Sequence, residues 1–224
     1  MDNSSKGATT SPAPRKEGAG EVTKLTVEEM NRIDVATFKA AHKLPLVMVL
    51  DNVRSLHNVG SVLRTADAFR LEGVWLCGIT GAPDGRPSVL PGDGRPNPNL
   101  AEIHKTALGA EDSVDWHYVP TTREAVDHLR AEGYTIVSIE QCKGSVMLNQ
   151  WEAFPKSSRK YAFVMGNEVK GVAQDIVDVS DLVIEIPQYG TKHSLNVSVT
   201  AGIVMWEVLR QALAAGELIN NSTL

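Results

Sequence analysis

Leu46–Leu50 (L-V-M-V-L) is an unbroken apolar run. A strand with one wet face alternates apolar and polar residues, so a short continuous run predicts a strand buried on both faces. After it, Val59, Val62, Leu63, Ala66 and Phe69 recur at helical spacing and predict a helix starting near Asn58. Gly73–Gly78 (G-V-W-L-C-G) predicts a second strand. A short helix near Ala101–Leu108, a strand at Trp116–Val119 and a helix at Thr122–Glu132, closed by Gly133, follow. Tyr134–Glu140, Tyr161–Met165 and Asp181–Ile186 predict further strands, and Leu195–Ala214 the last helix. This alternation predicts an α/β fold with a mainly parallel sheet covered on both faces.

Two stretches stand outside the rhythm. Thr26-Val-Glu-Glu29 is a capping-box pattern. It predicts a helical extension over 26–44, running to roughly His42 with Val27, Met30, Ile33 and Phe38 among its apolar residues, and stopped by Pro45. Thr80–Asn99 is dense in Gly, Pro, Asn and Asp and predicts a long mobile loop, with Arg86 and Arg95 spaced to reach phosphates. The Ser-, Pro- and Gly-rich residues 1–25 read as a disordered tail, 45–214 as the folded domain and 215–224 as a C-terminal tail.

Composition narrows the class. The 224 residues, 42% hydrophobic and 22% charged, suffice for one sizeable core. No window approaches an unbroken membrane-length apolar run, and the N-terminus lacks a secretory signal's apolar core, so neither a membrane nor export is expected. Cys77 and Cys142 sit near the ends of apolar runs and read as buried free thiols in a reducing cytoplasm; they are too few for a zinc site, and no metal is expected. A net charge of −5 argues against an indiscriminate nucleic-acid binder, but not against a local basic patch.

In parallel sheets ligands bind beyond the carboxyl ends of the strands. Three polar stretches follow strands here: Asp51–Arg64, Gly166–Gly171 and Pro187–Asn196. In the first, Asn58 reads either as a helix N-cap or as a site residue. Arg54 and His57 read as solvated or as phosphate ligands, and Arg64 as a phosphate fork, as half of a salt bridge to Glu168 or Asp67, or as a snorkelling surface arginine. The second, Met165-Gly-Asn-Glu-Val-Lys-Gly171, has two glycines that suggest close backbone approach to a ligand, or an ordinary turn, and lacks the ending of a P-loop. In the third, Ser194 and Asn196 alternate with Leu195 and Val197; simple capping by Ser194 is the alternative. The dinucleotide fingerprint is missing. Ser194, His193 and Asp181 offer triad residue types without a nucleophile elbow.

Together, N-V-G-S-V-L-R-T-A-D-A-F, F-V-M-G-N-E-V-K-G-V and I-E-I-P-Q-Y-G-T-K-H-S-L-N-V-S-V-T-A-G-I-V-M-W-E resemble the three motifs of the SPOUT superfamily, SpoU/TrmH branch, over roughly Leu46 to Gln211. The resemblance implies a Rossmann-like sheet with a C-terminal deep trefoil knot, and a homodimer that transfers a methyl group from S-adenosylmethionine to an RNA ribose 2′-hydroxyl. It implies Arg64, Asn58, Glu168, Ser194 and Asn196 as catalytic residues. Gly166, Ile186, Leu195, Glu140, Met165 and Gln188 would bind the donor, and Arg54, His57 and Arg70, with Arg86 and Arg95, the RNA. Val199, Ile203, Val204, Trp206 and Leu209 exceed what one core face needs and suggest a dimer surface. Gly133–Gln141 and the I-P-Q-x-G form of the third motif look most like enzymes of the tRNA D-loop guanosine; ribosomal RNA, or a non-catalytic RNA-binding module, are the alternatives.

Overall fold

The computed structural model describes residues 22–87, 100–153 and 159–216. Residues up to Arg32 separate from the rest as a unit of their own. Within that unit the capping box forms: Thr26 N–H donates to Glu29 Oε2 at 2.7 Å and Glu29 N–H to Thr26 Oγ1 at 3.3 Å. The expected helix does not continue from it. Asn31 takes a left-handed φ of 45°, which closes one turn and stops propagation. A separate short helix, α1 (Val35–Ala40), begins after Asp34, whose carboxylate caps Thr37 N–H.

The main unit is a seven-stranded sheet, parallel in every pairing. β1 (Leu44–Asp51) pairs with β2 (Leu71–Cys77), which pairs with β3 (Trp116–Val119). On the other side β1 pairs with β6 (Lys160–Met165), then come β4 (Tyr134–Ile139), β7 (Leu182–Glu185) and the two-residue edge strand β5 (Val146–Met147). Every predicted strand is present. β5 was not foreseen, because two residues carry no period.

The apolar run of β1 is buried on both faces as expected. Leu46, Met48 and Leu50 join one core with α2 (Leu56–Ala68), α3 (Leu100–Ala107), α4 (Ala110–Ser113) and α7 (Val197–Ala214). Val47 and Val49 join the other, with α5 (Thr122–Ala131) and Ile176 of α6 (Gln174–Val177). Alternate residues of β1, β2, β4 and β6 thus feed the two cores.

Three expectations need correction. The first part of the supposed loop is packed: Thr80, Gly81, Ala82 and Pro83 are buried, and Thr80 Oγ1 accepts Val53 N–H at 2.9 Å and donates to the Leu50 carbonyl at 3.0 Å. Positions 88–99, Arg95 included, lie outside the described residues, as do most of both predicted tails. Second, α7 is by length and composition apolar enough to cross a membrane. One face supplies Ala201, Val204, Met205, Val208 and Leu209 to the core, while Val199, Ile203 and Trp206 stay exposed. Val204 and Leu209 therefore do not belong to a dimer surface. Third, Cys77 is buried and burial pushes its thiol up, but Cys142 is only half-buried.

Candidate active site

β4, β6 and β7 end together, and their carboxyl ends floor a cleft of about 570 Å³. Its apolar walls are Ile139, Met165, Ile186, Leu195 and Val197; Glu140, Glu185 and Gln188 supply acceptors. The size is typical of a small-molecule site. Apolar walls suit a purine, and acceptors suit ribose hydroxyls and an ammonium group, so S-adenosylmethionine fits the residues present. All six residues expected to bind it, Gly166, Ile186, Leu195, Glu140, Met165 and Gln188, line the cleft.

The two glycines have a reason other than ligand approach. A Cβ on Gly166 would fall 2.1 Å from the Gly171 carbonyl carbon and 2.1 Å from Val172 N. One on Gly171, whose φ is +69°, would fall 2.0 Å from Glu140 Oε2. The loop after β6 therefore folds onto its own backbone. Asn167 N–H and Gly171 N–H each donate to the other's carbonyl, at 3.0 and 2.9 Å. Glu140 pins the end of this turn by accepting Val172 N–H at 2.9 Å and Gln141 N–H at 2.8 Å.

Glu168 sits at the tip of that loop. Oε2 accepts Arg54 N–H at 3.0 Å; Oε1 accepts Ser55 N–H at 3.0 Å and Asn58 Nδ2 at 3.1 Å. Partial burial alone would raise its pKa, but the N–H groups of Arg54 and Ser55 and the Asn58 amide outweigh it and hold the carboxyl below the usual carboxylate range. Asn58 in turn accepts Asn196 Nδ2 at 3.2 Å, and the Ser198 hydroxyl lies 3.3 Å from the same oxygen. Asn196 caps α7 by accepting Ser198 N–H at 2.9 Å, and the Ser198 hydroxyl at 2.7 Å. Glu168, Asn58, Asn196 and Ser198 thus stitch three loops, far apart in sequence, into one network.

The capping alternatives for Asn58 and Ser194 do not hold. Ser55 caps α2, accepting Asn58 N–H at 3.3 Å, which leaves the Asn58 amide free for the network. Asn196 caps α7, so Ser194 does not; it lines the cleft, exposed and without a hydrogen bond among the described residues. Arg64 is exposed on α2 outside the cleft lining and forms neither of the salt bridges considered for it.

The expected basic patch does not assemble. Arg54 is exposed near the site. His57 Nε2 is engaged by Glu102 at 2.9 Å. Arg70, with a left-handed φ of 51°, turns the chain from α2 into β2 and so lies at the amino edge of the sheet, opposite the cleft. Arg86 is paired with Asp84 at 2.6 Å and stacked over the Tyr118 ring at 5.1 Å. A helix carries its first and last residues to opposite sheet edges, and the residue spacing alone did not register this for Arg70.

Sequence reasoning missed several supports. Buried Asp51 accepts Thr122 Oγ1, Asn52 Nδ2 at 2.8 Å and Ala173 N–H at 3.2 Å. Asn167 Nδ2 donates to the Asn52 carbonyl at 2.7 Å. A carboxylate ending an apolar strand was a readable signal for Asp51; Thr80 and Ser198 offered none.

Comparison with known proteins agrees with this geometry. Residues 45–206 match the SpoU rRNA Methylase family. The chain is 32% identical over 188 residues to the 23S rRNA (guanosine-2′-O-)-methyltransferase RlmB of Vibrio vulnificus, covering 84% of this chain and 68% of that protein. It is 29% identical over 180 residues to a putative TrmH family tRNA/rRNA methyltransferase of Staphylococcus aureus, covering 80% and 64%. The chain thus spans about two thirds of the length of these relatives. Among solved structures, the A. aeolicus TrmH/SpoU tRNA modifying enzyme superposes with a TM-score of 0.63 at 26% identity, over 81% of this chain and 82% of that one. The AdoMet-bound rRNA methyltransferase from Sinorhizobium meliloti superposes at 0.62 and 25% identity, over 76% and 60%. With its three loops stitched at a donor-sized cleft and the family match spanning the whole sheet, the chain belongs to the SpoU family of S-adenosylmethionine-dependent RNA 2′-O-methyltransferases.

Proposed function

We propose that this protein methylates a ribose 2′-hydroxyl of ribosomal RNA. The observation that carries the choice of RNA is the 32% identity to an enzyme named for 23S rRNA guanosine. Transfer RNA, expected from Gly133–Gln141 and the I-P-Q-x-G form, is the second reading; the near-equal coverage of both chains in the A. aeolicus superposition favours it. The family's trefoil knot belongs to this reading too. So does a homodimer, supported by the exposed apolar side chains Val199, Ile203 and Trp206 along α7.

When bound, S-adenosylmethionine supplies a methyl group already activated by its sulfonium. The protein's part is to hold the ribose oxygen in line and to stabilise its negative charge as the proton leaves. Glu168 is a poor proton acceptor: three donors occupy its carboxylate and its pKa is lowered. Its role is to fix the loop after β1. Arg64, exposed and with no guanidinium partner among the described residues, meets the RNA across α2 and stabilises the developing alkoxide. The proton passes to the RNA's own phosphate.

Arg64→Ala is expected to fold and to bind S-adenosylmethionine as the parent does, and to lose roughly a hundred- to a thousand-fold in turnover. Calorimetry and tritium transfer to ribosomal RNA from a strain lacking the chain measure both; parent-like turnover would reject the assignment. Mapping of 2′-O-methyl positions in total RNA from that strain decides between ribosomal and transfer RNA.

A further inference from the structure

The charged side chains at the cleft mouth differ in how they are held. Its three carboxylates are internally engaged: Glu140 by Val172 and Gln141 N–H groups, Glu168 by Arg54, Ser55 and Asn58, Glu185 by the Ser145 hydroxyl at 2.9 Å. Its cations are not. Lys170, on the loop after β6, and Lys192, on the loop after β7, are exposed with ammonium groups that have no partner among the described residues. Between Lys192 and the cleft-lining Gln188 stands Tyr189, 97% exposed, whose hydroxyl likewise has no partner. The far end of this loop is anchored, since Gln141 Nε2 donates to the His193 carbonyl at 2.6 Å. An aromatic ring that buries nothing of its own protein, on a loop anchored at its far end and near cations without partners among the described residues, has the elements of a single-stranded RNA grip: a face for a base and charges for phosphates.

We propose that Tyr189 stacks on the base of a nucleotide adjoining the one methylated, while Lys170 and Lys192 hold its flanking phosphates from the two sides of the cleft mouth. This rests on the reading of the chain as an RNA methyltransferase. It stands apart from the basic patch of Arg54, His57, Arg64 and Arg70 that the sequence suggested. The grip is sequence-tolerant, because every base offers a face to stack.

The test uses the full chain, S-adenosylmethionine, and ribosomal RNA from a strain lacking the protein. Tyr189→Ala is expected to raise KM for RNA about 5- to 150-fold, the range of a lost base–aromatic stack, with kcat and donor affinity near the parent's. Tyr189→Phe keeps the ring and should behave as the parent. Lys170→Gln and Lys192→Gln should each lower the slope of log affinity against log salt by about 0.7, the single-strand value per phosphate. Exposed side chains predict unchanged melting temperatures. Parent-like KM in Tyr189→Ala, or unchanged salt slopes, overturns the inference while leaving the methyltransferase reading intact. A parent protein that binds S-adenosylmethionine but methylates neither ribosomal nor transfer RNA overturns both. A fall in solution mass of Tyr189→Ala, measured by light scattering, assigns the ring to contact between copies instead and overturns the grip.

Discussion

At the scale of single residues, the site depends on atoms with no room and on carboxylate oxygens already bonded within the chain. Gly166→Ala places a methyl where the Gly171 and Val172 backbone already lies. Backbone cannot swing aside as a side-chain tip does, so the loop after β6 must open. A loss of about 1–3 kcal/mol in denaturant unfolding is expected, together with weaker donor binding; parent-like stability would show that the loop is not packed this tightly. Glu168 gives a pH signature. Its pKa is lower folded than unfolded, so its stabilisation is present above the ordinary glutamate value of about 4.3 and is lost as pH falls through the folded value. Glu168→Gln keeps one carbonyl acceptor and loses the charge. The melting gap between parent and variant should therefore be open near pH 6 and narrow toward about pH 3. A gap constant across that range would mean that ionised Glu168 adds nothing to the folded state.

At the scale of elements, three strand ends are joined by polar side chains rather than by the sheet alone. Asn58 lies on α2 and Asn196 at the start of α7, and they meet through one hydrogen bond of 3.2 Å with Ser198 beside it. Members of one network are not independent. Asn58→Ala and Asn196→Ala are each expected to weaken S-adenosylmethionine binding. The double variant should lose less than the two losses added, with a coupling of about 0.5–3 kcal/mol. Calorimetric titration of the four proteins measures this; strict additivity would mean that the two asparagines act separately. The same pair marks the limit of sequence reading here. Both asparagines were singled out as site residues, but caps and network members are the same residue types, and the assignment waited on where each helix starts. Ser55 rather than Asn58, and Asn196 rather than Ser194, turned out to be the caps.

At the scale of the whole molecule, α7 is apolar nearly all round. A helix of this kind is buried on several sides or meets a partner. Its inner face packs on the sheet, and Val199 at 52%, Ile203 at 37% and Trp206 at 52% exposure remain outside. Ile203→Glu puts a charge on that exposed face without touching the core. The parent is expected to sediment as a dimer and the variant as a monomer. A variant with the parent's mass, or a parent that is already monomeric, would remove α7 from any interface.

The alternation of apolar runs and helical periods determined the α/β class and the parallel sheet, because burial on both faces leaves near-continuous apolar runs such as those of β1 and β6. It also marked Gly166, Glu168, Asn58 and Asn196 as belonging to one place, since polar residues collected after strand ends must share the sheet's carboxyl edge. What the pattern held no trace of was direction and occupancy. Which edge Arg70 occupies, which cations are already paired, as His57 and Arg86 are, and which carboxylates are already engaged by N–H groups depend on how side chains meet in space, whether the partner is two positions away, as Asp84 is from Arg86, or more than a hundred, as Glu168 is from Arg54. A residue's charge is written in its type. Whether that charge is free to act is decided only by what the fold brings against it.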